Sequence, residues 1–329
     1  MTSFFSAIPI RVGLVGTGYA AKMRAETVNA DPRAKLVGVA GHTPETTQEF
    51  SQVHQTRSFN TWADLIENEQ IDLVIVSGVN RDHGKIVQAA LSSGKHVVVE
   101  YPLALTVGEA EDAIALARSR NLLLHVEHIE LLGGVHQALM QALPQIGAPF
   151  YARYVTMTPQ NPAPQKWTYQ PDLFGFPLIG ALSRLHRLTD AFGEVAIVSC
   201  QNREWKTTNS EHYAACLCAA QLRFKSGLIA EVVYGKGEAV WQPERKFEVQ
   251  GKSGGLIFDG DGGVLINGEG SRLIAVAGRR GIFAKDTAAV LDRLIDGTPL
   301  YVTPEASLYT LRVADAARRS AAIGQAVTL

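Results

Sequence analysis

The stretch Val12-Gly13-Leu14-Val15-Gly16-Thr17-Gly18-Tyr19-Ala20-Ala21 restricts the fold of this chain more than any other. Its apolar run, Val12 to Val15, reads as a buried parallel strand that breaks at Gly16-Thr17-Gly18, and Ala21 onward reads as a helix. This is the G-x-G-x-x-A form of the dinucleotide fingerprint. Gly16 permits a tight strand-to-helix turn, Gly18 lets a pyrophosphate approach the backbone, and Ala21 keeps the helix close to the sheet. The free N–H groups at the helix start then face the phosphates. Tyr19 and Ala20 complete the loop that would line the site.

At 329 residues the chain is long enough for two domains. An apolar content of 46% and a charged content of 19% are those of an ordinary globular protein. The net charge of -1, with no basic stripe and no charge block, argues against nucleic acid as a partner. Met1 to Pro9 is apolar but short and lacks a basic start, so it does not read as a secretory leader. No apolar run approaches the ~20 residues that a membrane span needs. The three cysteines cannot all pair internally; Cys216 and Cys218 read as core thiols of a reducing cytosol, not as metal ligands, and no metal is expected.

From the fingerprint onward, strands and helices alternate at βαβ spacing. Helix Lys22 to Asn29 ends at Asp31-Pro32, and Ala34 to Ala40 is the second strand. Helices Pro44 to His54 and Trp62 to Glu67 follow, then strand Ile71 to Val76, helix His83 to Ser92, strand His96 to Val99, helix Thr106 to Asn121 and strand Leu122 to Val126. The pattern predicts a parallel sheet covered on both faces, the α/β Rossmann arrangement, with ligands beyond the carboxyl ends of its strands. Those ends carry Gly16 to Ala20, Gly41-His42-Thr43, Gly78-Val79-Asn80 with His83 just beyond, Glu100-Tyr101-Pro102, and Glu127-His128-Ile129-Glu130. An acidic residue normally closes the second strand and holds the ribose 2′-hydroxyl of NAD. Here the chain reads Ala40-Gly41-His42-Thr43, with no carboxylate to repel a 2′-phosphate, and His42 and Thr43 could contact one. The cofactor expected is therefore NADPH (NADP+) in preference to NADH.

A helix from Leu131 to Leu143 leads to a different pattern. Phe150 to Met157, Ala196 to Trp205, Tyr213 to Phe224, Leu228 to Tyr234, Lys246 to Gly251, Gly254 to Phe258 and Leu273 to Val276 read as strands, most of them separated by Gly and Asp turns such as Gly260-Asp261-Gly262-Gly263. Few helices intervene, so an α+β domain with a large, mostly antiparallel open sheet is expected. Thr158 to Pro177, with Trp167, Tyr169 and Phe174, reads as an ordered loop over a site. Leu178 to Ala191 reads as a helix that puts Arg184 and Arg187 three apart on one face, beside Ser183. Gly281 to Asp296 and Pro304 to Ile323 read as closing helices. The boundary expected lies between a dinucleotide-binding domain, 1–130, and a substrate-binding domain, 131–329, with the last helix packing back on the first domain.

At Gly16-Thr17-Gly18 and Glu100-Tyr101-Pro102-Leu103-Ala104-Leu105 the chain resembles the glucose-fructose oxidoreductase / inositol dehydrogenase family. The resemblance implies a Rossmann domain, a second domain built on an open antiparallel sheet, and a nicotinamide cofactor. It also exposes departures. The family usually has Glu-Lys-Pro, with the lysine at the reacting hydroxyl, where this chain has Tyr101. It usually carries an Asp, and four residues later a His, on the first long helix of the second domain, where Ser183 and Arg187 stand here. Groups suited to oxidising a sugar hydroxyl are missing.

The chain looks closer to one branch of that family, the biliverdin reductases of cyanobacteria. The runs that carry this include His125-Val-Glu-His-Ile-Glu-Leu-Leu-Gly-Gly-Val-His-Gln, Gln160-Asn-Pro-Ala-Pro-Gln, Phe174-Gly-Phe-Pro-Leu, Ala181-Leu-Ser-Arg, Tyr234-Gly-Lys-Gly-Glu and Glu305-Ala-Ser-Leu-Tyr. That resemblance implies reduction of biliverdin IXα to bilirubin IXα, by hydride transfer to the C10 methine and protonation of a pyrrole nitrogen. Arginine suits a flat, apolar pigment with two propionates, offering a planar face and a carboxylate fork. Arg184 is expected to stabilise charge at the reacting bilin, either polarising its nitrogen and holding a water or donating the proton directly in a dry site, and Arg187 to clamp a propionate. Tyr101 is expected beside the nicotinamide, and Glu127 and His128 at the same rim. An NADP-dependent oxidoreductase of another carbonyl or imine, and a non-catalytic NADP-binding sensor, remain alternative readings; the oligomeric state is open.

Overall fold

An apolar strand in a parallel sheet needs cover on both faces, and β1 (Ile10–Val15) has it: Ile10, Val12 and Leu14 are all fully buried. The computed structural model describes residues 9–207 and 211–329; Met1–Ile8, the bulk of the stretch read above as unlike a leader, lies outside them. After β1 come α1 (Tyr19–Ala30), β2 (Ala34–Ala40), α2 (Pro44–Val53), β3 (Arg57–Phe59), α3 (Trp62–Glu67), β4 (Leu73–Val76), α4 (Asn80–Ser92), β5 (His96–Glu100), α5 (Val107–Ser119) and β6 (Leu124–Glu127). Side-chain caps begin several of these helices: Thr43 for α2, the Thr61/Asp64 capping box for α3 and Thr106 for α5. The six strands run parallel in the order β3-β2-β1-β4-β5-β6. The order reverses between β1 and β4, which opens a crevice at their carboxyl ends.

The second sheet follows α6 (Gly134–Ala142). Its strands are β7 (Pro149–Pro159), then, after the short helices α7 (Pro171–Phe174) and α8 (Pro177–Gly180) and the longer α9 (Ser183–Phe192), β8 (Val195–Lys206), β9 (Tyr213–Phe224), β10 (Ile229–Gly237), β11 (Glu244–Gly251), β12 (Gly254–Asp259), β13 (Gly262–Asn267) and β14 (Gly270–Ile274). Two closing helices, α10 (Ile282–Asp296) and α11 (Pro304–Ile323), precede the short β15 (Val327–Thr328). The nine strands order as β14-β13-β12-β11-β7-β10-β9-β8-β15; β7 and β10 pair parallel and every other neighbour antiparallel. The alternation that revealed these strands sorts their faces: Cys216, Cys218, Leu222, Val232, Phe247 and Val249 are buried. The opposite face is polar, with Tyr151 donating to Glu231 at 2.9 Å and Arg153 paired to Glu244 at 2.8 Å.

The chain forms two compact units, Met1–Ile129 with Gly281–Leu308, and Glu130–Arg280 with Tyr309–Leu329. The return expected of the last helix is made instead by α10, whose Val290, Leu291 and Leu294 pack into the core of β1, β2 and α1, while α11 from Tyr309 onward belongs to the second unit. Each such buried side chain is worth about 1.5–3 kcal/mol. Sequence pattern missed three strands, β3, β13 and the two-residue β15, the second because Gly262-Gly263 reads as a turn. It also merged two helices. Leu178 to Ala191 breaks at Ala181-Leu182, between α8 and α9. A Cβ on Gly180 would stand 2.5 Å from the Phe174 ring, so α8 ends against the Thr158–Pro177 loop.

Candidate functional site

In the first unit the strand-end loops meet as the fingerprint requires. Gly16 has φ +120, a conformation that favours glycine, and a Cβ there would lie 2.5 Å from Ser77 O. The first and third of the expected loops are thereby pressed together. Thr17 reaches the second, since its Cγ2 would stand 2.7 Å from a Cβ on Gly41. Above Gly18 and Gly78 there is open space, with no atom within 4 Å of a Cβ built on either. Gly18 is the N-cap of α1, so Tyr19 and Ala20 open that helix, while Ala21 is fully buried against the sheet. The buried Ser77 hydroxyl has no hydrogen-bond partner among the described residues. An anion cradle, open space and an unused donor at the switch point fit a dinucleotide.

Three expected cofactor contacts have a different local role. The Thr43 hydroxyl is engaged in capping α2, accepting from Thr46 N at 3.3 Å. That leaves exposed His42 as the free side chain of the loop. His83 is buried within α4, with Nδ1 2.8 Å from Pro102 O and Nε2 3.3 Å from Gly78 O. Burial lowers its proton affinity, and a neutral ring can donate through only one nitrogen. It ties the loop after β4 to the loop after β5 from behind. Asn80 is likewise buried, in the first turn of α4, with Val79 as its N-cap.

Glu127 and His128 require a correction. They were expected at the rim, but both are 1% exposed. Glu127 is the last residue of β6, opposite Glu100 in the β5–β6 ladder, and this pairing turns both carboxylates toward Arg24. Arg24 donates to Glu100 at 2.8 Å and also to Asp286. Asp286 in turn accepts from Tyr301 at 2.6 Å and lies 2.7 Å from His125 Nε2. Burial, then the neighbouring charge of Glu100, pushes the Glu127 carboxyl well above its usual range. Burial also works on Asp286, but Arg24 and His125 outweigh it and hold the acid well below its usual range. One residue further along each strand, the alternation reverses and Tyr101 stacks on His128, with centroids 5.5 Å apart and planes 6° apart. Ser307 holds His128 Nε2 at 2.9 Å. Tyr101, half-buried, is thus the member of this group that reaches the surface of the unit.

In the second unit α9 lays two guanidiniums on two tyrosines. Arg187 Cζ stands 5.3 Å over the Tyr154 ring and Arg184 Cζ 5.6 Å over Tyr234. Tyr154 and Tyr234 sit on the neighbouring strands β7 and β10 and share one sheet face, since Tyr154 pairs with Val232, two residues before Tyr234. Arg184 Nη1 donates to Ser183 at 2.9 Å. Arg187 is 2% exposed and donates to Glu130 at 3.2 Å. Glu130 also receives Arg279 at 2.8 Å. Burial raises its carboxyl, but Arg279, Arg187 and Arg184 outweigh that and keep it ionised. The expected propionate clamp, Arg187, is therefore already paired, and its charge is shared.

Sequence reasoning missed Glu130, Arg279 and Lys236 as members of this group. Lys236 is buried on β10 and stands 5.7 Å from the same Tyr234 ring. The signal for it was present: a period of two puts Lys236 on the face of Val232 and Tyr234, where a lysine is unexpected.

Comparison with known proteins agrees with this geometry. Residues 10–128 match the model of an oxidoreductase family with an NAD-binding Rossmann fold, and residues 143–329 match the C-terminal alpha/beta domain of the same family. Biliverdin reductase A of Mus musculus is 27% identical over 198 residues, 59% of this chain and 62% of the mouse protein; that of Homo sapiens is 25% identical over 207 residues, 63% and 66%. The chain thus matches somewhat under two thirds of these relatives' length. The crystal structure of biliverdin reductase from Synechocystis sp. PCC 6803, in complex with biliverdin and NADP+, is 52% identical, with TM-score 0.94 over 95% of this chain and 99% of that one.

Proposed function

The chain belongs to the oxidoreductase family with an NAD-binding Rossmann fold and a C-terminal alpha/beta domain, and we propose that it reduces biliverdin IXα to bilirubin IXα with NADPH. The observation that carries this reading is the pair of guanidiniums stacked on Tyr154 and Tyr234, in a group where cations outnumber carboxylates. A planar dianionic tetrapyrrole matches both properties. The biliverdin and NADP+ held by the Synechocystis protein support it.

Gly16, Thr17, Gly18, Tyr19 and Ala20, with Gly41, His42 and Gly78, would hold NADPH, which when bound supplies a hydride. His83 and Asn80 support those loops from inside the unit. The reaction takes up that hydride at the C10 methine and a proton at a pyrrole nitrogen. Arg184 stabilises the negative charge that builds on the tetrapyrrole, more in the transition state than before it. The Tyr101 hydroxyl donates a hydrogen bond or orders a water, its ring held by the His128 stack. Arg187 and Arg279, tied to Glu130, supply positive potential for the propionates. Glu127 and His128 act from behind, by holding Glu100 and Tyr101 in place.

Among the described residues no helix is long and apolar enough to cross a membrane, and three buried free cysteines suit a reducing cytosol. The test is direct. Purified protein mixed with NADPH and biliverdin should turn the blue-green solution yellow while NADPH is consumed in equal amount. A protein that binds both and changes neither is a sensor, and one that ignores the pigment acts on something else.

A further inference from the structure

Thr168 O, in the loop between β7 and α8, accepts two hydrogen bonds, one from the Tyr213 hydroxyl at 2.9 Å and one from Lys236 Nζ. Four rings enclose that ammonium, with centroids at 4.0 Å (Phe174), 4.7 Å (Tyr169), 5.4 Å (Tyr213) and 5.7 Å (Tyr234). Phe174 and Tyr169 belong to the loop, Tyr213 to β9 and Tyr234 to β10. No carboxylate joins these contacts among the described residues. A buried ammonium is costly without compensation, and here ring faces and a carbonyl compensate it.

We propose that Lys236 is a positioning residue for the bilin site: it staples the Thr168–Phe174 segment to β9 and β10, and through the Tyr234 ring it shares with Arg184 it fixes where that guanidinium stands. The second half rests on the role given to Arg184 above. Burial lowers the lysine to about 8, with Cys216 opposing and the charge of Arg184 adding to the effect. The other titratable groups that face it are Tyr169, Tyr213 and Cys216, all raised by burial, and Tyr234. Arg184 and Lys236 are then the charged pair on this ring, and the staple is intact below pH 8 and released above it.

The experiment follows kcat for biliverdin and, separately, tryptic cleavage after Lys166, an exposed residue of the same loop, from pH 7 to 9.5, with cleavage normalised to a peptide control. In the wild type kcat should fall and cleavage should quicken with a midpoint near 8. Lys236→Arg should keep both flat across the range. Lys236→Met should lower kcat about 10- to 100-fold at every pH, leave KM for NADPH unchanged and speed cleavage. Flat wild-type profiles, or a Lys236→Met protein that matches the wild type, would overturn the proposal. If a variant does not fold, the wild-type profiles decide alone. If the wild type leaves biliverdin unreduced, the reading of function fails, and cleavage at Lys166 still decides on the staple.

Discussion

In the first unit three carboxylates, Glu100, Glu127 and Asp286, share one buried guanidinium, Arg24. In the second, Glu130 is the single carboxylate among the described residues that faces Arg184, Arg187 and Arg279, with Lys236 beside Arg184. Arg24 and Asp286 are withdrawn from water, whereas Arg279 of the second group is exposed, and the two groups settle their charge differently. The acidic group closes on itself: the Glu127 carboxyl is held well above its usual range, Asp286 pairs with Arg24, and His125 and Tyr301 take up the remaining lone pairs of Asp286. The basic group sets Glu130 against Arg187 and Arg279. It stays in positive excess and lays that excess on aromatic faces. The first arrangement balances its charge internally, whereas the second keeps a positive excess, as the proposed site for a dianionic pigment requires.

If that contrast is right, disruption of the acidic group should cost stability and disruption of the basic one should cost turnover. Asp286→Asn should bring the largest change, since it strands Arg24 without its buried partner. A loss of about 3–5 kcal/mol is expected in urea unfolding, and a loss under 1 kcal/mol would mean the network does not hold the unit. Arg184→Lys comes next, lowering the single-turnover rate of bilirubin formation by roughly 10²–10³-fold with the unfolding midpoint nearly unmoved. Should it weaken biliverdin binding and leave the hydride step intact, Arg184 is a clamp only. Tyr101→Phe keeps the stack on His128 and removes the hydroxyl; kcat should fall on the order of 10²-fold. An unchanged rate would assign Tyr101 to the structural side of the contrast.

The smallest effect belongs to the rim. His42→Asp places a carboxylate after β2 and should lower kcat/KM for NADPH relative to NADH by about tenfold, as like-charge repulsion at an exposed site is worth on the order of 1 kcal/mol. Equal use of both cofactors by the wild type would show that the missing carboxylate does not set the preference.

How much of this was legible in the sequence follows from how far each feature reaches along the chain. Gly16, the βαβ alternation and the inward residues of β9 and β10 are local patterns of period two or of a single turn, and all could be read directly. Arg184 and Arg187 were legible because residues three apart on one helix share a face. Glu130, Arg279 and Lys236 join them from three separate segments, and only the folded sheet brings these to one place. Glu127 and His128 misled for the opposite reason. Polar residues after an apolar strand read as a rim, but the ladder register with Glu100 draws Glu127 inside, and His128 is buried under the Tyr101 ring. The break between α8 and α9 was hidden because it depends on the Phe174 ring, a tertiary neighbour.

The return of α10 into the first unit also has a consequence for synthesis. Arg24 leaves the ribosome early, and its partner Asp286 lies 262 positions later. At about 5–20 residues per second, roughly 13–52 s pass between them. During that interval β1 and α1 lack Val290, Leu291 and Leu294, and a guanidinium destined for the interior has no carboxylate of α10 to meet it. The amino-terminal piece thus emerges first but can be completed only after the whole central segment, 130–280, has been made. A nascent chain released before Asp286 should still present the Gly16-Thr17-Gly18 turn, yet lack the buried counter-charge that lets this unit close.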